Sequence, residues 1–262
     1  LLYNIILSVE DFMPNSDREK EILKILDKKY SVSIKELSET LFASEPTIRR
    51  DLTRLEEKQL VIRTHGRVIA NKISADTNIA LSAREQHMYN IKSALAEAGS
   101  ALVSDGYVIM LDASTTASHL VKYLEKFKDI IVITCGIKTA YLLGQTNIKF
   151  ISTGGEAINK SFSLIGPSAL HTLKAYNADI CFVSCHGLSK EGYVTDTSVP
   201  ENEVRYAIMQ QSKRKVLILD NTKIDNGFWH NLCSISEFDD VICNAPLPDP
   251  VPDKVKNFIL VS

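Results

Sequence analysis

The chain has 262 residues, 45% hydrophobic and 24% charged, with a formal net charge of −2 at pH 7. That length holds one large domain or two smaller ones with a full core, and the composition excludes global disorder. The near-neutral balance excludes a strongly basic nucleic-acid coat protein, yet leaves room for a local basic element. Five cysteines, an odd number scattered through apolar runs, read as buried thiols of a reducing cytoplasm rather than a disulfide frame. No run approaches the ~18 consecutive apolar residues of a membrane helix, so no membrane partner is expected. The opening run Leu1–Leu7 lacks the basic start and small-residue cleavage pattern of a signal peptide. Residues 1–16 form an N-terminal extension to which the sequence assigns no role.

Residues 17–70 are dense in charge and helical in pattern. Ile22, Leu23, Ile25 and Leu26 share one helical face after a candidate cap, Asp17. Ile34, Leu37 and Leu41 recur at helical spacing after the candidate cap Ser33. A third helix carries Ile48, Leu52 and Leu55. Leu60-Val61-Ile62 and Arg67-Val68-Ile69 then predict two strands about the turn Thr64-His65-Gly66. Three short helices and a hairpin make a winged unit. Leu41–Ser44 supplies a tight turn, Ser44 caps the third helix, and Pro46 falls in its first turn, where a missing N–H matters little.

On the wheel of that helix, Ile48, Leu52 and Leu55 face inward. Pro46, Thr47, Arg50, Thr53 and Arg54 face outward, with Arg49 on the flank. Guanidinium groups suit phosphates and guanine edges, and threonine suits either. Arg63, His65 and Arg67 fall on the wing, where further backbone contacts are expected. Asp51 lies nearer the buried side and reads as an internal partner for an arginine. Paired surface arginines are most often a plain solvated face. Here the order helix, tight turn, cap and arginines favours double-stranded DNA as the partner.

Residues 71–90 read as a linker with helical character. From residue 91 to 262 the texture changes to short apolar runs alternating with helical patterns. The runs are 107–111, 130–133, 148–151, 180–183, 216–219 and 241–243, with a further strand predicted at 258–261 beyond four clustered prolines. Continuous apolarity predicts strands buried on both faces of a mostly parallel sheet in an α/β layered domain.

Polar clusters follow these strands: Asp112 with Ser114-Thr115-Thr116, Thr134-Cys135, Gly154-Gly155, Cys185-His186-Gly187 and Asp220–Lys223. Ligands of open α/β sheets lie beyond the carboxyl ends of the strands, so these clusters are expected to converge on one pocket. Small hydroxyl residues between strand and helix favour an anion, especially phosphate. The same residues also serve as ordinary helix caps. Glu201, near the start of a helix predicted at 201–211, either joins the pocket or serves the helix dipole.

The strings Ile34-Lys35-Glu36-Leu37, Thr47-Ile48-Arg49-Arg50-Asp51-Leu52 and Arg63-Thr64-His65-Gly66, with Ser44 and Leu55, resemble the winged helix-turn-helix of DeoR-type transcription regulators. Lys92, Asp112 with Ser114-Thr115-Thr116, Thr134, Gly154-Gly155, Gly166, Asp179, Gly187, Gly192, Glu201 and Asp220–Lys223 match that family's sensor domain in order and approximate spacing. The sensor domain is similar in fold to ribose-5-phosphate isomerase. The resemblance covers about residues 17–244. It implies a repressor of a sugar-metabolism operon whose operator affinity follows a phosphorylated sugar effector, with no cofactor. It also implies that the phosphate sits on Ser114, Thr115 and Thr116, with Lys223 and Glu201 bordering the sugar.

Departures from the family pattern are Arg67-Val68 in the wing, Ala113-Ser114 before the threonines, Cys135 after Thr134, and Cys185-His186 before Gly187. The last three belong to the expected pocket, so the effector need not be the family's commonest. Dimeric helix-turn-helix proteins match two-fold operators, which predicts a homodimer or higher homo-oligomer.

An active sugar-phosphate isomerase or deaminase is the alternative, with Glu201, His186 and Lys223 as candidate acid–base groups. It leaves the winged unit unexplained. A metal site built from Cys181, Cys185 and His186 matches no standard spacing, and core thiols are the better reading. No Gly-Lys-Ser/Thr phosphate loop and no Gly-x-Gly-x-x-Gly follows a strand, so nucleotides lack support.

Overall fold

The structure is a computed structural model that describes residues 15–28, 32–57, 60–64, 67–70 and 88–261. The chain divides into two compact units with the boundary after Asn78. In the first, α1 (Asn15–Lys28), β1 (Val32–Ser33), α2 (Ile34–Thr40) and α3 (Glu45–Glu57) precede β2 (Val61–Thr64) and β3 (Arg67–Ala70). Ser33 caps α2 through a capping box: its hydroxyl accepts the Glu36 amide at 3.1 Å, and Glu36 accepts the Ser33 amide at 2.8 Å. Asp17, expected as a cap, lies inside the first turn of α1, where its charge complements the helix dipole. Ile22, Leu26, Leu37, Ile48, Leu52, Leu55, Val61 and Val68 form one buried core. Each such side chain contributes about 1.5–3 kcal/mol on burial. The strand β1, too short to announce itself in the sequence, pairs antiparallel with β3, so the hairpin becomes a three-stranded sheet in the order β1-β3-β2.

The second unit is built on seven parallel strands: β4 (Val108–Leu111), β5 (Ile131–Thr134), β6 (Lys149–Ser152), β9 (Ala178–Val183), β12 (Ser212–Leu219), β14 (Asp240–Cys243) and β15 (Asn257–Leu260). They correspond to the seven apolar runs of the sequence. Their order is β15-β14-β12-β9-β4-β5-β6, with every neighbouring pair parallel. Alternate residues feed two cores. Met110, Cys181, Val183, Leu217 and Val241 pack with Ala169 and Leu173 of α8 (Gly166–Lys174) and with Val204 and Ile208 of α9 (Val199–Gln210). Ile109, Leu111, Ile180, Phe182 and Ile218 face the other way. They pack with Leu95 and Ala96 of α4 (Tyr89–Ser100), with Ala117 of α5 (Thr115–Ser118), with Val121 of α6 (Val121–Leu124) and with Leu143 of α7 (Ile137–Leu143). Burial on both faces explains why the runs of β4, β5, β9, β12 and β14 are continuous rather than alternating, whereas the edge strands β6 and β15 are half-buried to exposed.

Strand order reverses between β4 and β9, which makes the gap beyond their carboxyl ends the topological switch point. Two small antiparallel sheets were not legible in the sequence. One pairs β7 (Glu156–Ile158) with β8 (Ser163–Ile165); the other has the order β10 (Gly187–Leu188), β11 (Tyr193–Asp196), β13 (His230–Ser234). Their strands are short, and β11 shifts register between Val194 and Thr195, which erases a period-two signal. Among the described residues, no helix is long and apolar enough to cross a membrane.

Candidate functional site

In the N-terminal unit, Leu41 and Phe42 make the turn between α2 and α3. Ser44 begins α3: its Oγ lies 3.4 Å from the Thr47 amide and 2.9 Å from Thr47 Oγ1, and its carbonyl accepts the Ile48 amide at 3.0 Å. Ser44, Pro46, Arg49 and Arg50 are exposed and Thr47 is half-buried. Arg49 reaches Glu45 at 3.4 Å, an exposed pair of small energetic weight. Arg54 departs from the expectation. Its Nε donates to Glu19 Oε1 at 2.8 Å and its Nη2 to Asp51 Oδ1. Asp51 is fully buried and also receives Arg18 Nε at 2.5 Å. The guanidinium at position 54 therefore ties α3 to α1, because two carboxylates on its inner side outcompete solvent. Arg63 and Arg67 lie on the paired wing strands, with Arg63 opposite Val68 and Arg67 opposite Thr64. His65 lies outside the described residues.

In the second unit, the switch point gathers a hydroxyl-rich turn and a buried charge network. Ser114 caps α5, its Oγ accepting the Ala117 amide at 3.0 Å. The first-turn amides of a helix have no partner inside it and suit an anion. Lys92 Nζ, buried, donates to Thr115 Oγ1 at 3.1 Å, which places a cation beside this turn. Thr115 and Thr116 are themselves buried. Asp112 is fully buried, and both of its oxygens are engaged. One oxygen accepts the Ser114 amide at 3.0 Å; the other accepts the Ser184 amide at 3.0 Å and Arg205 Nε at 3.2 Å. It locks the two strand ends together across the switch.

Arg205, on α9, is the hub. Its Nη1 donates to Asp196 Oδ2 at 2.5 Å and to Asn202 Oδ1 at 3.0 Å. Burial opposes its charge, and Asp196 and Asp112 more than offset that opposition. Burial likewise raises the Asp196 carboxyl, but Arg205 and His186 outweigh it and hold the group well below the usual carboxylate range. His186 Nδ1 lies 2.8 Å from Asp196 Oδ2, which fixes the ring at the end of β9. Glu201 is 7% exposed and adds a third carboxylate within reach of Arg205. Lys223, half-buried, ends the turn after β12.

Other expected pocket residues serve the scaffold. The Thr134 hydroxyl accepts the Gly136 amide at 3.0 Å and closes its own turn. Cys135 is 1% exposed and its thiol sits in the core, as does that of Cys185. Burial pushes both thiols up to about 12, so neither is a nucleophile or a thiolate ligand at neutral pH. Gly154 borders open space. Gly155, at φ +111°, packs so closely that a Cβ would lie 2.3 Å from the Ile165 carbonyl. Gly187 lies under the Asn226 carbonyl, 1.5 Å from where a Cβ would stand. A cleft of about 400 Å³ at the amino ends of β5 and β6, lined by Glu125, Phe127, Asp129, Ile130, Asn147 and Lys149 among others, holds none of this cluster.

Two family models match the chain: a DeoR-like helix-turn-helix domain over residues 18–74 and the DeoR C terminal sensor domain over residues 87–245. The chain belongs to the DeoR family of transcriptional regulators. It is 34% identical over 209 residues to the transcriptional regulator GolR of Listeria innocua, covering 79% of this chain and 82% of that one. It is 27% identical over 232 residues to the L-fucose operon activator of Haemophilus influenzae, covering 88% and 93%. The ribose 5-phosphate isomerase A of Methanocaldococcus jannaschii matches at TM-score 0.40 and 17% identity, over 52% of this chain and 54% of that one.

Within this DeoR-family sensor domain, sequence reasoning missed Arg205 and Asp196. Arg205 sits mid-helix among polar residues, and Asp196 ends a strand that was not predicted.

Proposed function

We propose that this DeoR-family regulator binds operator DNA through α3 and its wing as a homodimer or higher homo-oligomer in the cytoplasm, and represses a sugar-metabolism operon until a phosphorylated sugar binds its sensor domain. The observation that carries the effector reading is Lys92 on Thr115 at the hydroxyl-rich turn of the switch point. A cation, first-turn amides and threonine hydroxyls there suit a phosphate. Ser114, Thr115 and Thr116 hold that phosphate. Glu201, His186 and Lys223 border the remainder of the sugar, where a carboxylate pairs with ligand hydroxyls. Operator contacts fall to Ser44, Pro46, Thr47, Arg49 and Arg50, with Arg63, His65 and Arg67 on the wing. The domain binds its sugar without turning it over, and no cofactor takes part. Similarity to regulators such as an L-fucose operon activator supports a sugar-linked role.

The test is a thermal-shift panel of phosphorylated sugars, each beside its unphosphorylated parent. A ligand at about 100 times its dissociation constant adds ~2.7 kcal/mol to the native state. One phosphate is expected to shift the melting point, its parent not, and a Ser114/Thr115/Thr116 alanine triple is expected to abolish the shift. A shift from the parent alone, or one untouched by the triple, overturns the phosphate assignment.

A further inference from the structure

The turn that leads into α3 carries a residue its backbone does not favour. Phe42 adopts φ +50° and is 95% exposed. The conformation is imposed by a closed helix terminus: the Leu41 amide donates to the Leu37 carbonyl at 2.9 Å, and the Ala43 amide to the Ser38 carbonyl at 3.2 Å. The second of these bonds closes a Schellman turn, whose left-handed position normally holds glycine or asparagine. The Ser38 hydroxyl, donating to the Ala43 carbonyl at 2.6 Å, holds the loop further. A phenylalanine there meets steric opposition from its own Cβ and gains no burial in return. Every other large apolar side chain described in this unit is buried or packed against the core.

We infer that Phe42 is an operator contact: its ring packs on the apolar surface of DNA, a thymine methyl or a deoxyribose, beside the leading end of α3. The occupant follows from continuity. Phe42 stands two residues before Ser44, and the exposed Ser44, Pro46, Arg49 and Arg50 form the same leading end. In a helix-turn-helix the N-terminal residues of the second helix reach the base edges, so the turn that carries Phe42 and ends at the Ser44 cap adjoins the DNA-facing end. Apolar contact of phenylalanine with a thymine methyl is an established form of readout. This inference rests on the DNA-binding reading of α3 and adds a residue and a chemistry to it.

The experiment uses the full chain and duplexes selected by it from a random-sequence pool, titrated at fixed salt. Phe42→Asn suits the left-handed turn and is expected to slow amide exchange in α2 and α3, while weakening binding by about tenfold. Phe42→Tyr keeps the ring and is expected to bind within about twofold of the parent. Replacing thymine by uracil, position by position, separates the sources. A methyl contact is lost at one position in the parent but not in Phe42→Asn; a sugar contact shows no such position while Phe42→Asn still binds weakly. Undiminished binding by Phe42→Asn overturns the inference, as does faster exchange, which would make Phe42 a packing residue. Arg50→Ala is the control: if it weakens binding while Phe42→Asn does not, the DNA-binding reading stands and only the Phe42 contact falls. If the parent selects no duplex, both fall.

Discussion

Replacing Arg205 by methionine would take the guanidinium away from two buried carboxylates, Asp112 and Asp196, and leave His186 as the neighbour of Asp196. Arg205 is 6% exposed and Asp112 and Asp196 are at most 1% exposed, so water cannot compensate. Breaking a buried pair from one side costs about 3–5 kcal/mol, a large part of a domain's total stability. The pH dependence has a definite sign. Asp196 is held low in the native protein by Arg205 and His186 against the opposition of burial. Its contribution is therefore complete above the unfolded carboxylate value of about 3.9 and disappears as pH falls through the lower native value. In Arg205→Met burial pushes the Asp196 carboxyl up with less to oppose it, so it takes a proton more readily as the pH falls and the penalty shrinks. Because the chain has two units, amide exchange at the centres of β4, β9 and β12 is the suitable assay. Protection should fall by roughly two to four powers of ten at pH 7, and the deficit should narrow toward pH 5. A deficit under about 1 kcal/mol, or one that widens on acidification, would refute the reasoning.

Arg50→Ala is expected to lose about 1–3 kcal/mol of affinity for a selected operator duplex with the fold intact, read by titration at fixed salt. Arg54→Ala is expected to destabilise the N-terminal unit instead, by about 1–2 kcal/mol in urea, since its guanidinium holds Glu19 and Asp51. Equal behaviour of the two variants would show that the separation of roles is wrong. Gly187→Ala drives a Cβ into the Asn226 carbonyl, and the sensor domain is expected to lose about 1–3 kcal/mol; an unchanged thermal midpoint speaks against the packing described. All five cysteines are buried, and burial pushes Cys135, Cys181, Cys185 and Cys233 up to about 12. A disulfide reagent at pH 8 should therefore label none of them rapidly before unfolding, and prompt labelling in the native protein would contradict that burial.

The large features of both units were legible because their signals are local. Seven apolar runs became seven parallel strands; the five inner ones are covered on both faces and need no alternation, and the edge strands β6 and β15 were legible from their apolar residues alone. Ser33 announced the start of α2 as a cap ahead of the Ile34, Leu37 and Leu41 spacing, and the Glu36 half of the capping box emerged only in the structure. Asp51 was legible as an internal partner because the helical wheel puts it beside Leu52 and Leu55. Arg54 was not, because the same wheel places it outward and only the approach of α1 brings Glu19 to it. Cys135 and Cys185 follow strand ends, as the sequence showed, but that their side chains pack into the core depends on neighbours distant in the chain. The Arg205 network joins residues up to 93 positions apart, so it has no local signature at all.

We propose that occupancy of the switch point changes operator affinity. Its most direct test titrates the parent protein onto a selected operator duplex with and without each sugar phosphate that shifts its melting point. One phosphorylated sugar is expected to change the dissociation constant by about 5–150-fold, the usual range of allosteric coupling, with no change from its parent sugar or in the Ser114/Thr115/Thr116 alanine triple. Operator affinity that is identical with and without every bound sugar phosphate would contradict the account.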